Sequence, residues 1–177
     1  MLLNFITILG FNFIVITILW ISSLKTRRAD FIDIYWGPSF FFSYLLALAI
    51  NNSFSMTEII CLFLITIWGF RLGIYLLIRN VNKTEDIRYV KIREARGDIG
   101  LYLTAYLIQI ILIPIISLPL ISILETNIDL SFVHWVGILI ALSGILIETI
   151  ADIQLSLIHI CRCRRLLTCR SRWSPYH

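Results

Sequence analysis

An all-α, polytopic transmembrane bundle of about five helices is the fold class this sequence predicts, and three observations predict it. Hydrophobic residues make up 59% of the chain, and the mean hydropathy is +0.88. Soluble domains sit nearer half apolar. Five apolar stretches reach the roughly 20 residues that a helix needs to cross the hydrocarbon core. Of the connections between those stretches, only alternate ones hold Lys or Arg.

The stretches run from Leu2 to Leu24, Phe31 to Ile50, Ile59 to Ile78, Leu101 to Leu124 and Phe132 to Ile150. The first lacks the basic start and small-residue cleavage site of a signal peptide, so it is read as a helix that stays. Isoleucine is abundant, and β-branched residues are poor helix formers in water. In lipid the backbone must satisfy its own hydrogen bonds, so helix remains the expectation. Pro114 and Pro119 in the fourth stretch predict a kink.

The first connection holds Lys25, Arg27 and Arg28. The third, which is the only long one, holds Arg79, Lys83, Arg88, Lys91, Arg93 and Arg96. The second and fourth hold no Lys or Arg. The positive-inside rule then puts the N-terminus outside and the first and third connections in the cytosol. Outside residues 155–177 the chain carries ten basic against eleven acidic residues. That near-balance speaks against a nucleic-acid partner; the bilayer itself is the partner expected. Cys61 sits in an apolar run, where a small cysteine packs as a hydrophobe, so no disulfide framework is expected.

Most unusual polar residues fall on the predicted cytosolic side. Asp30 and Asp33 open the second helix, followed by Trp36. Arg71 lies about two turns inside the third, where a charge costs about 2.5–3.5 kcal/mol on insertion scales. It either snorkels or meets an acid such as Asp33 or Glu148, or an anionic ligand. Glu148 and Asp152 are four residues apart and share a helix face, with Gln154 nearby. No histidine accompanies them, so no metal site is expected. Thr84-Glu85-Asp86 is suited to start a short helix with Thr84 as its cap. The segment reads either as an ordinary solvated loop or, through Arg88-Tyr89, as a site for phosphate and planar groups. His134 is expected at the opposite interface.

Four motifs carry a resemblance: "DFIDIYWGPSFFF" (Asp30–Phe42), "WGFRLGIYLLIRN" (Trp68–Asn80), "EDIRYVKIRE" (Glu85–Glu94) and "ETIADIQ" (Glu148–Gln154). In this order the chain, from Met1 to Gln154, resembles an uncharacterised membrane family. That family is related to the C-terminal domain of steroid 5-alpha-reductases, within a superfamily that also holds isoprenylcysteine methyltransferases.

The resemblance implies an NADPH-dependent reductase acting on a carbon–carbon double bond of a sterol- or enone-like lipid. Membrane location would be the endoplasmic reticulum in a eukaryote and the plasma membrane in a bacterium. It also implies Tyr89 and Glu148 as catalytic candidates, and Asp86, Arg88, Asp152 and Gln154 near the cofactor. Asp33, Trp36 and Arg71 would line the substrate pocket. A non-catalytic transporter or scaffold subunit, and an S-adenosylmethionine-dependent methyltransferase, are the alternatives.

Such families continue past the "AD-x-Q" element to an "RHPNY-x-GE"-like motif that serves the cofactor. Here the chain continues instead as "LSLIHICRCRRLLTCRSRWSPYH" (Leu155–His177). This stretch resembles, in one frame, the translation of a sequencing-library adapter with TGA read as cysteine. Residues 1–154 are therefore expected to be the N-terminal portion of the membrane domain, inactive by itself, and residues 155–177 to be non-native.

Overall fold

The computed structural model describes residues 1–52, 54–81, 85–125 and 130–169, and within them all side chains except those of residue 81 and residues 156–169. Every element in these ranges is helical. In order they are α1 (Leu2–Thr26), α2 (Phe31–Asn51), α3 (Met56–Val81) and α4 (Ile87–Leu101). A π-helical turn (Tyr102–Tyr106), α5 (Leu107–Ile116), α6 (Leu118–Glu125) and α7 (Phe132–Cys169) follow. Five stretches are long and apolar enough to cross a membrane: α1, α2, α3, the run from Ile87 to Glu125, and α7 up to Leu155. The chain forms two compact units, Met1–Leu130 and Ser131–His177. The non-native reading of residues 155–177 falls mostly on side chains outside the described set.

In the first unit α2 packs most closely on α3, and the reason is two glycines. A Cβ placed on Gly69 would lie 2.5 Å from the carbonyl oxygen of Gly37. The two backbones meet with no side chain between them, which is how helices associate where lipid removes the hydrophobic drive. Pro38, inside α2 beside this crossing, has no N–H to donate along the helix.

Polar rungs join α1 to α2. Asn12, fully buried, donates through Nδ2 to the Ile8 carbonyl (2.9 Å) and to Ser43 Oγ (2.8 Å). Its Oδ1 accepts from the Tyr35 hydroxyl at 3.2 Å. Near the other end Asn51 Nδ2 donates to Asn4 Oδ1 at 3.1 Å and to the Ala47 carbonyl at 2.6 Å. Interhelical hydrogen bonds in membranes are each worth about 0.6–2 kcal/mol. Replacing Asn12 with Leu removes two of them and leaves the Tyr35 hydroxyl unpartnered. The expected result is a loss of about 1–3 kcal/mol, read as a lower unfolding midpoint in a denaturing-detergent titration.

Helix ends are closed by local chemistry. Ser55 and Glu58 form a reciprocal box at the start of α3: Glu58 Oε2 accepts from the Ser55 N–H (2.7 Å), and Ser55 Oγ accepts from the Glu58 N–H (3.4 Å). Burial of Glu58 is thereby explained. In the second unit, His134 Nδ1 takes the Ser131 N–H at 3.0 Å, which caps α7.

The fourth stretch is not one straight helix. Gly97 adopts φ 68, ψ −175 and breaks α4; a positive φ suits glycine because it has no Cβ. The π turn follows, closed by the Leu107 N–H on the Tyr102 carbonyl. A second break lies at Ser117, whose hydroxyl and N–H both bond the Ile113 carbonyl. The kink expected from Pro114 and Pro119 is thus centred between them. Pro114 stays inside α5 and Pro119 falls in the first turn of α6, where its missing N–H costs little.

Candidate functional site

The site lies in the first unit at its arginine-rich end, where the α1–α2 turn faces the start of α4. Asp86, not Thr84, caps α4: its carboxylate accepts the Arg88 N–H at 2.9 Å, and Thr84 lies outside the described residues. The Arg88 side chain also closes on Asp86 through Nη2 (2.8 Å) and Nε (3.1 Å). These charge-assisted bonds, the side-chain one foremost and the backbone one next, hold the Asp86 carboxyl below its ordinary value.

Two crossed bonds fix α4 against the α1–α2 turn. Glu85 Oε1 accepts the Ala29 N–H at 2.8 Å, and Asp30 Oδ1 accepts the Asp86 N–H at 3.2 Å. Each side thus supplies one carboxylate and one backbone donor. Arg93 grips Glu85 with both terminal nitrogens, at 2.6 and 2.9 Å. That planar fork on a carboxylate is the strong form of ion pair. Arg28 Nη2 bonds Asp30 Oδ2 at 3.1 Å and the Asn80 carbonyl at 2.8 Å, so the C-terminal end of α3 joins the same clamp.

The clamp brings Tyr89 onto Asp33. The Tyr89 hydroxyl donates to Asp33 Oδ1 at 2.6 Å, a short bond of the kind made to an ionised acceptor. Tyr89 is buried, while Asp33 keeps 26% of its side chain exposed. Arg88 Nη2 stands 3.6 Å from Asp33 Oδ2, and its guanidinium lies 5.7 Å from the centre of the Tyr89 ring. Trp36, one turn along α2 from Asp33, meets Phe40 edge-on at 5.5 Å, and Phe40 meets Trp68 at 5.6 Å. Tyr89 and Phe40 belong to one buried core, with Trp36 and Trp68 packed against it.

Of the residues singled out from sequence, the structure joins Asp33, Asp86, Arg88 and Tyr89 and puts Trp36 on the adjacent turn. Arg71 lies on α3, one turn beyond Trp68. Glu148 and Asp152 do share a face of α7, and Gln154 is exposed. These three belong to the second unit and are described with it.

Sequence reading assigned no role to Glu85, Arg93 or Asp30 in positioning.

A family model described as "Protein of unknown function (DUF1295)" matches residues 19–166. No curated protein matches the chain, and no solved structure matches it.

Proposed function

The chain belongs to the DUF1295 family, and from that premise we propose that it supplies the lipid-binding, proton-donating part of an NADPH-dependent reductase. The substrate class is a sterol- or enone-like lipid whose carbon–carbon double bond is conjugated to a carbonyl. The observation that carries the reading is the 2.6 Å bond from the Tyr89 phenol to Asp33 beside the Trp36–Phe40–Trp68 wall.

The chemistry follows from the pair. Addition of hydride to an enone drives negative charge onto its carbonyl oxygen. A phenol turned toward that oxygen stabilises the charge and passes a proton. In the structure the single phenol proton is given to Asp33. With Asp33 protonated, the carboxyl O–H donates to the phenol oxygen, and the phenol proton passes to the enolate oxygen to give the enol. Asp33 then reprotonates the phenol and is itself reprotonated from water. NADPH supplies the hydride when bound. Arg88 suits its phosphates: the side chain is 68% exposed, and its bonds to Asp86 and Asp33 run through Nε and Nη2. The Nη1 edge then serves a phosphate oxygen, with Asp86 orienting the guanidinium.

The test is a titration of the purified chain in nanodiscs with cholest-4-en-3-one, read by tryptophan fluorescence. Saturable quenching is expected, with affinity about tenfold weaker in Tyr89→Phe, the worth of one hydrogen bond to a carbonyl. Equal affinity of wild type and variant would remove Tyr89 from the site.

A non-catalytic scaffold is the second reading, favoured by one observation: Glu85, Arg93, Asp30 and Arg28 bond mainly to one another and to backbone. A scaffold would bind the ketone and the corresponding hydrocarbon alike.

A further inference from the structure

The arginine-rich end of the first unit is sorted by sign. Its acids are held inside: Asp30 and Glu85 sit within the clamp, and Asp33, Asp86 and Asp98 each meet an arginine. Its spare bases face outward. Lys25, Arg79, Lys91 and Arg96 are exposed, and among the described residues none of them makes an ion pair. Of the described acids at this end, only Glu94 is in the same state. The outer surface is therefore cationic although the clamp beneath it is balanced.

The clamp strings these bases along α4. At its start, Arg79 on the last turn of α3 lies within electrostatic reach of Asp86. At its far end, Arg27 is 69% exposed and stands 3.9 Å from Asp98, whose carbonyl accepts the Trp20 indole N–H at 3.3 Å. Lys91 lies between, on an exposed face shared with Ile87 and Ala95. A helix from Asp86 to Asp98 runs about 18 Å, so the bases form a row.

Length and composition put that row at an interface. The apolar run from Ile87 to Glu125 has 39 residues, nearly twice the roughly 20 that the hydrocarbon core takes. Its polar first part, α4, is thus left outside the core. Ile87 and Ile99 are nonetheless 68% and 71% exposed. Exposed isoleucines beside unpaired bases on one short helix are the composition of an element lying on a membrane surface. Water would solvate the bases but not the isoleucines, whereas an anionic lipid surface serves both.

We propose that α4 and the helix ends beside it seat anionic phospholipid headgroups of the leaflet on this side. Phosphate oxygens accept from Arg27, Arg79, Lys91 and Arg96, and Ile87 and Ile99 dip toward the acyl boundary. Charge complementarity selects the occupant, because a neutral headgroup gives this row no net attraction. Each base near such a surface strengthens binding about fivefold. The inference stands apart from the lipid-ketone reading, since none of these side chains belongs to the Tyr89–Asp33 pair.

The full chain in detergent micelles is titrated with phosphatidylglycerol and with phosphatidylcholine of the same acyl chains, and bound lipid is counted by native mass spectrometry. Wild type is expected to prefer phosphatidylglycerol and to lose that preference as salt rises from about 0.1 to about 0.5 M. Arg79→Gln/Lys91→Gln/Arg96→Gln is expected to bind phosphatidylglycerol about tenfold or more weakly and phosphatidylcholine as before. Lys91→Gln alone, a change at an exposed position that leaves the fold intact, should cost about fivefold. Arg162→Gln/Arg164→Gln/Arg165→Gln removes the same charge elsewhere in the chain and should keep the preference. Equal binding of the two lipids by wild type, or an unchanged preference in both α4 variants, would overturn the proposal. An equal loss in the control would overturn it too, by making net charge the cause. Glycerophosphoglycerol, the soluble headgroup, should not displace the lipid at equal concentration; displacement would make a free phosphate ester the ligand and not a lipid surface.

Discussion

Gly69→Leu is expected to abolish the folded first unit. The side chain has nowhere to go: its Cβ alone would stand 2.5 Å from a backbone oxygen of Gly37. A clash with a flexible side chain can be relieved by a new rotamer, whereas a clash with backbone requires the helices to separate. Separation strips α2 of its closest partner and breaks the Phe40–Trp68 contact with it. The cost should exceed about 4 kcal/mol, the range reserved for losses of this kind. In practice Gly69→Leu should migrate as aggregate in size exclusion in mild detergent, where wild type elutes as a folded species. Gly10→Leu, with open space around the added atom, is the control and should behave as wild type.

The second large effect concerns the clamp. Glu85 and Arg93 keep only 10% and 15% of their side chains exposed. Removing Glu85 takes the two-pronged bond from Arg93 and leaves it Asp98 alone, 3.2 Å from its Nε and 39% exposed; removing one partner of a buried pair costs up to about 3–5 kcal/mol. Glu85→Leu also frees the Ala29 N–H, so the α1–α2 turn loses its hold on α4. The expected outcome is a drop of about 3 kcal/mol or more in unfolding free energy. Ketone affinity should fall with it, because Tyr89 is no longer held on Asp33. The double variant Glu85→Leu/Arg93→Met should recover most of the stability, since no buried charge is left alone, but not the affinity. Stability and affinity parting in this way would mark Glu85 as a positioning residue.

Sequence legibility divides along a physical line. The helices were legible because crossing a bilayer constrains length and hydropathy together: α1 and α2 match their predicted starts at Leu2 and Phe31. Asp33 stands out in the sequence as an acid opening the second helix, and Tyr89 as the ring beside Arg88. Their meeting was not legible, since it depends on how the α1–α2 turn docks on α4. That docking runs through backbone donors at Ala29 and Asp86, and every residue type has a backbone N–H. Asp86 caps α4 and gives its own N–H to Asp30, while Thr84 lies outside the described residues. The π turn was hidden as well. "YLTAY" is as apolar as its surroundings, and a one-residue change of helical pitch leaves no compositional mark. Glu148, Asp152 and Gln154 were selected by the shared face of Glu148 and Asp152, and that face is present on α7.

Photolabelling tests most directly whether a lipid ketone docks where α2 meets α4. Steroidal enones react with neighbouring C–H bonds under near-ultraviolet light, so the ligand can report its own position. The chain in nanodiscs is irradiated with cholest-4-en-3-one, digested and mapped by mass spectrometry. Saturable labelling is expected within residues 31–40 and 87–101, reduced in Tyr89→Phe. Labelling confined to lipid-facing positions of α1 or α7, rising without saturation, would contradict it.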